Sequence, residues 1–150
     1  MVRGAAAGAV ATWVMDLTTT GLQVQQSEAD AARERAARPG GRSSVAILVD
    51  RILAATGIDA DEPTRQQLAE VIHYGLGAGP GALYAVLRDR VPLLGARRGI
   101  VYGALLWALN DELLNTRLGL AGPPDAYPLS THFRGLVGHV VLGVVTDALV

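Results

Sequence analysis

Residues 4–24 read GAAAGAVATWVMDLTTTGLQV, and this stretch is the first of four that decide the fold. The other apolar stretches are residues 68–87 (LAEVIHYGLGAGPGALYAVL), 99–114 (GIVYGALLWALNDELL) and 133–150 (FRGLVGHVVLGVVTDALV). A firm transmembrane prediction needs about 18–20 consecutive uncharged apolar residues. None of the four stretches reaches that standard, so the prediction depends on a second signal.

Glycines supply that signal, because they recur at helix-packing spacing. Gly4 precedes Gly8, Gly99 precedes Gly103, and further glycines stand at 95, 135, 138 and 143. Small residues at this spacing let helix backbones approach closely, which matters most in lipid, where no hydrophobic force drives helices together. In a soluble helix each glycine would cost about 1 kcal/mol relative to alanine. We therefore predict an all-α fold in which the four stretches form a four-helix transmembrane bundle; a soluble helical bundle is the alternative.

Residues 25–66, between the first and second stretches, form a polar loop. Within it, Ser43 or Ser44 begins a short amphipathic helix, and its apolar face includes Leu48 and Ile52. A second helix start follows at Asp61, with Pro63 in its first turn. We expect one integral membrane domain over residues 1–150.

The arginines suggest an orientation. Residues 88–98 carry Arg88, Arg90, Arg97 and Arg98, although six more arginines are spread over the first loop. The positive-inside rule places residues 88–98, and with them both termini, on the cytoplasmic side. The predicted location is a bacterial inner membrane, and the predicted environment is a lipid bilayer.

Composition excludes several functions. The chain has 150 residues and no cysteine, so disulfides, thiolate metal sites and thiol nucleophiles are absent. Its net charge of −1 disfavours nucleic acid as a partner. The sequence of residues 77–82 fits the dinucleotide fingerprint G-x-G-x-x-A, but no strand–turn–helix context supports it, and a kink within a helix is the better account. Nothing else matches a familiar enzyme motif, so an enzyme is not the favoured prediction.

Ionisable residues collect where the ends of antiparallel helices would meet. Such groups are costly in a bundle interior and tend to pair or to line a path. His132 and His139 are seven residues apart and share one helical face. The predicted polar cluster contains Asp16, Glu70, His73, Asn110, Asp111, Glu112, His132, Arg134 and His139.

This cluster has three interpretations. It is structural, through carboxylate pairs with Arg134 and histidine; it responds to protons, because imidazoles change charge near neutral pH; or it binds a metal ion. Glu70-x-x-His73 has the spacing used in di-iron bundles, but only one copy is present. No cofactor is predicted outright, and a metal ion is the open possibility. Its candidate ligands are Glu70, His73, Glu112, His132 and His139. Separately, Asp147 is expected to pair with Arg3.

The order of signals in the second half resembles the YagU-like family of small bacterial inner-membrane proteins. The matching residues are His73-Tyr74-Gly75, Gly79-Pro80-Gly81-Ala82-Leu83-Tyr84, Gly99-x-x-Tyr102-Gly103, Trp107, Asp111-Glu112, Pro128, His132, Gly138-His139 and Gly143. The resemblance implies a multi-span membrane protein of unassigned activity, with a link to acid stress for one member. It supplies no catalytic residues, and the charged segment 25–66 departs from it.

The sequence therefore favours a small, non-enzymatic membrane protein with a histidine–carboxylate cluster that is structural or proton-responsive. A metal-binding bundle, including a di-metal oxidoreductase, is the first alternative. The second is a soluble or accessory interaction module. A homo-oligomer or a larger membrane complex is compatible with the GxxxG-type faces.

Overall fold

The computed structural model describes residues 1–150, and every regular element is helical. The long helices are α1 (Val2–Gln23), α4 (Glu62–Leu87) and α8 (Leu129–Leu149). Shorter helices are α2 (Glu28–Ala37), α3 (Ser44–Thr56), α5 (Pro92–Gly95), α6 (Ile100–Trp107) and α7 (Asn115–Arg117). A π-helical segment, Ala108–Leu114, joins α6 to α7, and 3-10 turns lie at Pro39–Gly41 and Pro124–Ala126.

Polar caps begin the helices of the first loop. The side chains of Ser27, Ser43 and Asp61 each accept a hydrogen bond from a backbone N–H three residues later, at the starts of α2, α3 and α4. Such a cap satisfies one of the free donors at a helix N-terminus. The predicted starts at Ser43 and Asp61 are confirmed. Helix α2 is separate from α1, because the chain turns after Gln23 and α2 begins at Glu28.

Glycines set the main helix contacts. Helix α1 packs against α4 and α8, and α6 packs against α8. A Cβ atom added to Gly8 would lie 2.3 Å from the Gly77 carbonyl oxygen, and one on Gly103 would lie 2.1 Å from the His139 carbonyl oxygen. Only glycine allows backbones this close, so the predicted close approach at these glycines is confirmed.

The predicted transmembrane bundle is wrong, although the all-α class is confirmed. No helix combines the length and the apolar character that a bilayer crossing requires. Helix α1 contains Arg3 and Asp16, α8 contains Arg134 and Asp147, and the third apolar stretch leaves α-helical geometry after Trp107. The bacterial inner-membrane location and the cytoplasmic placement of the termini were inferred from those spans and fall with them. Glycine spacing predicted how closely the helices pack, but it did not identify the surrounding medium.

The buried core is small. Its central cluster consists of Ala11 on α1, Tyr84 on α4, Tyr102 on α6 and Leu142 on α8, and Ala7, Val49, Leu53 and Leu120 are the other buried apolar residues. Only 20 of 150 residues are buried, so a large part of the apolar surface stays exposed. The small glycine-lined contacts between helices bury backbone more than bulky side chains.

Candidate functional site

A cleft of about 640 Å³ lies between the long helices and is covered in part by α2 and α3. Small-molecule sites usually enclose a few hundred to a thousand cubic ångströms. All three histidines of the chain line this cleft, together with Asn110, Asp111, Glu112 and Arg134. Glu70 lies at its exposed rim. Asp16 does not line the cleft itself but contacts His73, which does. The structure thus places the predicted polar residues around one cavity.

The first histidine pair joins α4 to α1. The His73 Nε2 atom lies 2.9 Å from Asp16 Oδ1 and 3.1 Å from Asp16 Oδ2. Both side chains are about one-third exposed, so water screens the pair and limits its contribution to stability. Glu70, one turn before His73, takes no part in this pair.

The second pair joins α8 to the π-helical segment. His132 Nδ1 lies 2.6 Å from Glu112 Oε1, and His132 Nε2 lies 2.9 Å from the Pro124 carbonyl oxygen. A carbonyl oxygen can only accept a hydrogen bond, so Nε2 is the donor to the Pro124 carbonyl oxygen. The other ring nitrogen, Nδ1, makes the short contact with Glu112 and so joins α8 to the π-helical segment.

The third histidine is only loosely paired. His139 Nδ1 donates to the Gly135 carbonyl oxygen at 3.0 Å, and the nearest Asp111 oxygen is 3.6 Å away, beyond a hydrogen bond. Asp111 Oδ1 accepts instead from the Asn110 side chain at 2.9 Å. Burial raises the pKa of the Asp111 carboxyl; the His139 and Asn110 side chains oppose the rise, and the Glu112 charge adds to it.

The π-helical segment explains how two consecutive carboxylates reach the same neighbouring helix. Its turn is wider than that of an α-helix, because the hydrogen bonds run between residues five apart. Asp111 lies near His139, while Glu112 contacts His132, seven residues earlier on α8. Segments of this kind are frequent at functional sites. The sequence placed these carboxylates at a helix end and did not predict the irregular turn.

Glu34 on α2 is the cleft residue that sequence reasoning missed. Its side chain is 4% exposed and accepts hydrogen bonds from Arg134 at 2.7 Å, Thr131 at 2.7 Å and Gln26 at 3.0 Å, with Arg38 as a further partner. Burial alone would raise the pKa of Glu34, but these hydrogen bonds outweigh it and lower the pKa to about 2. Nothing in the sequence of an arginine-rich polar helix indicates that one of its glutamates is buried. The available indication was Arg134, which lies in an apolar stretch and needs a carboxylate partner.

The candidate metal ligands do not come together. No group of three or more His, Asp or Glu side chains is positioned to hold a metal ion. His73 pairs with Asp16, His132 pairs with Glu112, and Glu70 and His139 belong to neither pair. The metal-binding alternative therefore has no support from the arrangement of its proposed ligands.

Asp147 lies in a separate cluster beside the core, and its predicted pairing with Arg3 is wrong. It accepts a hydrogen bond from the Tyr84 hydroxyl at 2.5 Å and pairs with Arg88 at 3.2 Å. Arg3 donates instead to the Leu149 carbonyl oxygen at 2.9 Å. The α4 helix brings Tyr84 and Arg88 to Asp147 because they are one turn apart.

The G-x-G-x-x-A sequence at residues 77–82 lies inside α4, with no strand before it. Its glycines at 77 and 81 contact α1, so they serve helix packing and not a nucleotide.

No protein family model, curated protein or solved structure matches the chain. The resemblance to the YagU-like family accordingly stays a prediction.

Proposed function

We propose that this protein is a helical interaction module that pairs with a second copy of itself through the outer face of α1. The supporting observation is a stripe of exposed apolar side chains along that helix. The stripe consists of Val2, Val10, Trp13, Leu17 and Val24, which follows the last residue of the helix. At 3.6 residues per turn these positions fall within an arc of about 80°.

The opposite side of α1 is already occupied. Gly4, Gly8 and Thr12 are buried against α4, so the bundle uses one face of the helix and leaves the other free. On the free face, Trp13 is 55% exposed and Leu17 is 57% exposed. Continuous exposed apolar surface marks interaction sites, and tryptophan is enriched at the centres of protein interfaces.

The charge pattern favours a second copy over a charged partner. Between Val2 and Val24 the charged residues are Arg3, which donates to the Leu149 carbonyl oxygen, and Asp16, which is paired with His73 of the same chain. A charged partner surface would find no complement on this stripe. A twofold dimer places the same patch on both subunits, and an uncharged apolar stripe is compatible with itself.

Sedimentation equilibrium of the purified chain tests this proposal. We expect a concentration-dependent dimer for the native chain and a monomer for the double variant Trp13→Glu/Leu17→Glu. Val71→Glu is the matched control, because Val71 is 70% exposed on α4, away from the stripe. A monomeric native chain, or equal disruption by the control, would contradict the proposal.

A proton-responsive role of the cleft is the second candidate. It is supported by His73 and His132, each of which contacts a carboxylate from a different helical segment, so imidazole protonation strengthens contacts between helices. Imidazoles commonly change charge between pH 5 and pH 8. Amide hydrogen exchange over that range should show greater protection of α4 and α8 at acid pH. The variant His73→Gln/His132→Gln should lose the difference; a native chain without it would exclude this role.

A further inference from the structure

Asp111, Trp107 and His139 meet at one point of the cleft, against Gly135 of α8. A Cβ atom added to Gly135 would lie 3.0 Å from the Trp107 ring nitrogen and 3.3 Å from Asp111 Oδ2. The missing side chain therefore leaves room for an indole and a carboxylate to lie side by side. All three side chains line the cleft.

Asp111 differs from the other carboxylates that line the cleft. Glu34 has Arg134 at 2.7 Å, and Glu112 has His132 at 2.6 Å. Glu70 is exposed at the rim, where water solvates it. The Asp111 side chain is 33% exposed, yet the nearest side chain that can carry a positive charge is His139, at 3.6 Å, and its hydrogen-bond donor is a neutral amide. The site therefore contains an accessible, partly buried carboxylate without a full countercharge.

We propose that this cleft binds a small organic cation, with its ammonium group against Asp111 and its apolar part against Trp107. A carboxylate without a close cation gains from a cationic ligand, because the ligand replaces the solvation that partial burial removed. An indole face attracts an ammonium group as well as apolar groups. The cavity wall also includes Met15, Leu106 and Leu142, which suit a hydrocarbon or aromatic body.

His139 is an internal competitor for the same carboxylate. When its imidazole is protonated, it supplies Asp111 with a positive charge from within the protein, so a cationic ligand gains less. The other titratable groups around the cleft are Glu112, His132 and Tyr127 toward α8, Asp16, Glu70 and His73 toward α1 and α4, the Glu34 network with Arg38 and Arg134, and Arg42 just before α3. A permanently charged ligand should therefore bind more weakly at acid pH, where protonation also neutralises the Asp111 carboxylate, whose pKa is raised by burial.

Three aromatic probes of different charge test the proposal by calorimetry: benzyltrimethylammonium, benzyl alcohol and benzenesulfonate. Trp107 fluorescence in a Trp13→Phe background reports binding at the site itself. We expect the cation to bind most tightly, and its Kd to rise by at least tenfold in Asp111→Asn. The Kd for benzyl alcohol should not change. Asp89→Asn is the matched control, because Asp89 is 92% exposed and does not line the cleft.

One further variant separates this site from nonspecific binding. His139→Gln should still bind benzyltrimethylammonium, but with less loss of affinity between pH 8 and pH 5 than the native chain shows. Thermal melts establish that each variant is folded. Absence of saturable binding of the cation, an equal Kd for native and Asp111→Asn proteins, or tighter binding of benzyl alcohol or benzenesulfonate would overturn the proposal.

Discussion

The Glu34 carboxylate on α2 accepts a hydrogen bond of 2.7 Å from the Arg134 guanidinium on α8. This contact ties the polar first loop to the last helix across a hundred residues of sequence. Both side chains are largely buried, at 4% and 12% exposure. Removing one partner of a buried ion pair strongly destabilises a protein, because the other charge is then left uncompensated.

Replacing Glu34 with glutamine should destabilise the protein by about 3 kcal/mol at neutral pH. The native pKa of Glu34 is lowered from 4.5 to about 2, and this shift corresponds to that free energy. A lowered folded-state pKa stabilises the protein above pH 4.5, and the contribution is lost as the pH falls toward 2. Urea unfolding at several pH values measures it.

Glu28→Gln is the control for this measurement, because Glu28 is exposed on the same helix. It should change the free energy of unfolding by less than about 1 kcal/mol. If native and Glu34→Gln proteins lost stability in parallel from pH 5 to pH 2, the assigned role of Glu34 would be wrong.

Replacing Asp111 with asparagine should have the opposite effect to Glu34→Gln and stabilise the protein. Burial raises the pKa of Asp111, so the folded state favours its acid form and is weakened when this carboxyl ionises. The stability that the folded state gains from the acid form of Asp111 is fully present below the ordinary carboxyl pKa and is lost as the pH rises through the raised pKa. The substitution should therefore increase the free energy of unfolding at neutral pH, and the gain should shrink in acid.

Chemical unfolding at pH 7 and pH 4 measures the effect of Asp111→Asn, with Asp89→Asn as the exposed control. A neutral or negative effect at pH 7 would show that Asp111 is adequately compensated in the free protein. Stabilisation by this variant, combined with loss of cation binding, would mean that the carboxylate is kept for a ligand at a cost in stability.

The helix crossing of α1 and α4 should not tolerate even one methyl group. In Gly8→Ala the added Cβ would lie 2.3 Å from the Gly77 carbonyl oxygen, so the helices must separate. We expect a loss of about 1–3 kcal/mol, the usual range for overpacking. Gly21→Ala is the matched control on the same helix, because no atom lies within 4 Å of its Cβ position.

Gly21→Ala should stabilise the protein by up to about 1 kcal/mol through helix propensity alone. Thermal and urea unfolding of the two variants compares them directly. Equal effects of the two substitutions would show that the crossing is looser than the structure indicates.

Local sequence patterns predicted the features that depend on local geometry. Glycines four residues apart predicted close helix contacts, and the expected antiparallel order brought Asp16 toward His73 and Glu112 toward His132. The medium around the helices could not be derived in the same way, because a glycine contact has the same geometry in water and in lipid. The charges at Arg3, Asp16 and Arg134 were a stronger indication than the glycine spacing, because they interrupt the apolar stretches that were predicted to span a bilayer.

Long-range and irregular features were beyond the sequence patterns. Glu34 looked like part of a solvated helix, and only the tertiary fold brings Arg134, Thr131 and Gln26 to it. The π-helical turn of residues 108–114 contacts His132 and His139 of α8, and no residue pattern in its sequence predicted it. It turns Asp111 and Glu112 toward the same helix, where they lie beside different histidines.

Tyr84 and Tyr102 pack with ring centroids 4.4 Å apart, yet the same substitution should affect them in opposite directions. The Tyr84 hydroxyl donates to Asp147 at 2.5 Å, whereas the Tyr102 hydroxyl is buried without a hydrogen-bond partner. Tyr84→Phe removes a hydrogen bond to a charged group and should cost about 1.5–3 kcal/mol. Tyr102→Phe removes an unsatisfied hydroxyl and should be neutral or stabilising by about 1 kcal/mol. Urea unfolding of the two single variants decides the matter, because both lose one oxygen from the same core. If Tyr102→Phe destabilised the protein as much as Tyr84→Phe, the Tyr102 hydroxyl would have a partner, and the assignment of Asp147 to Tyr84 alone would need revision.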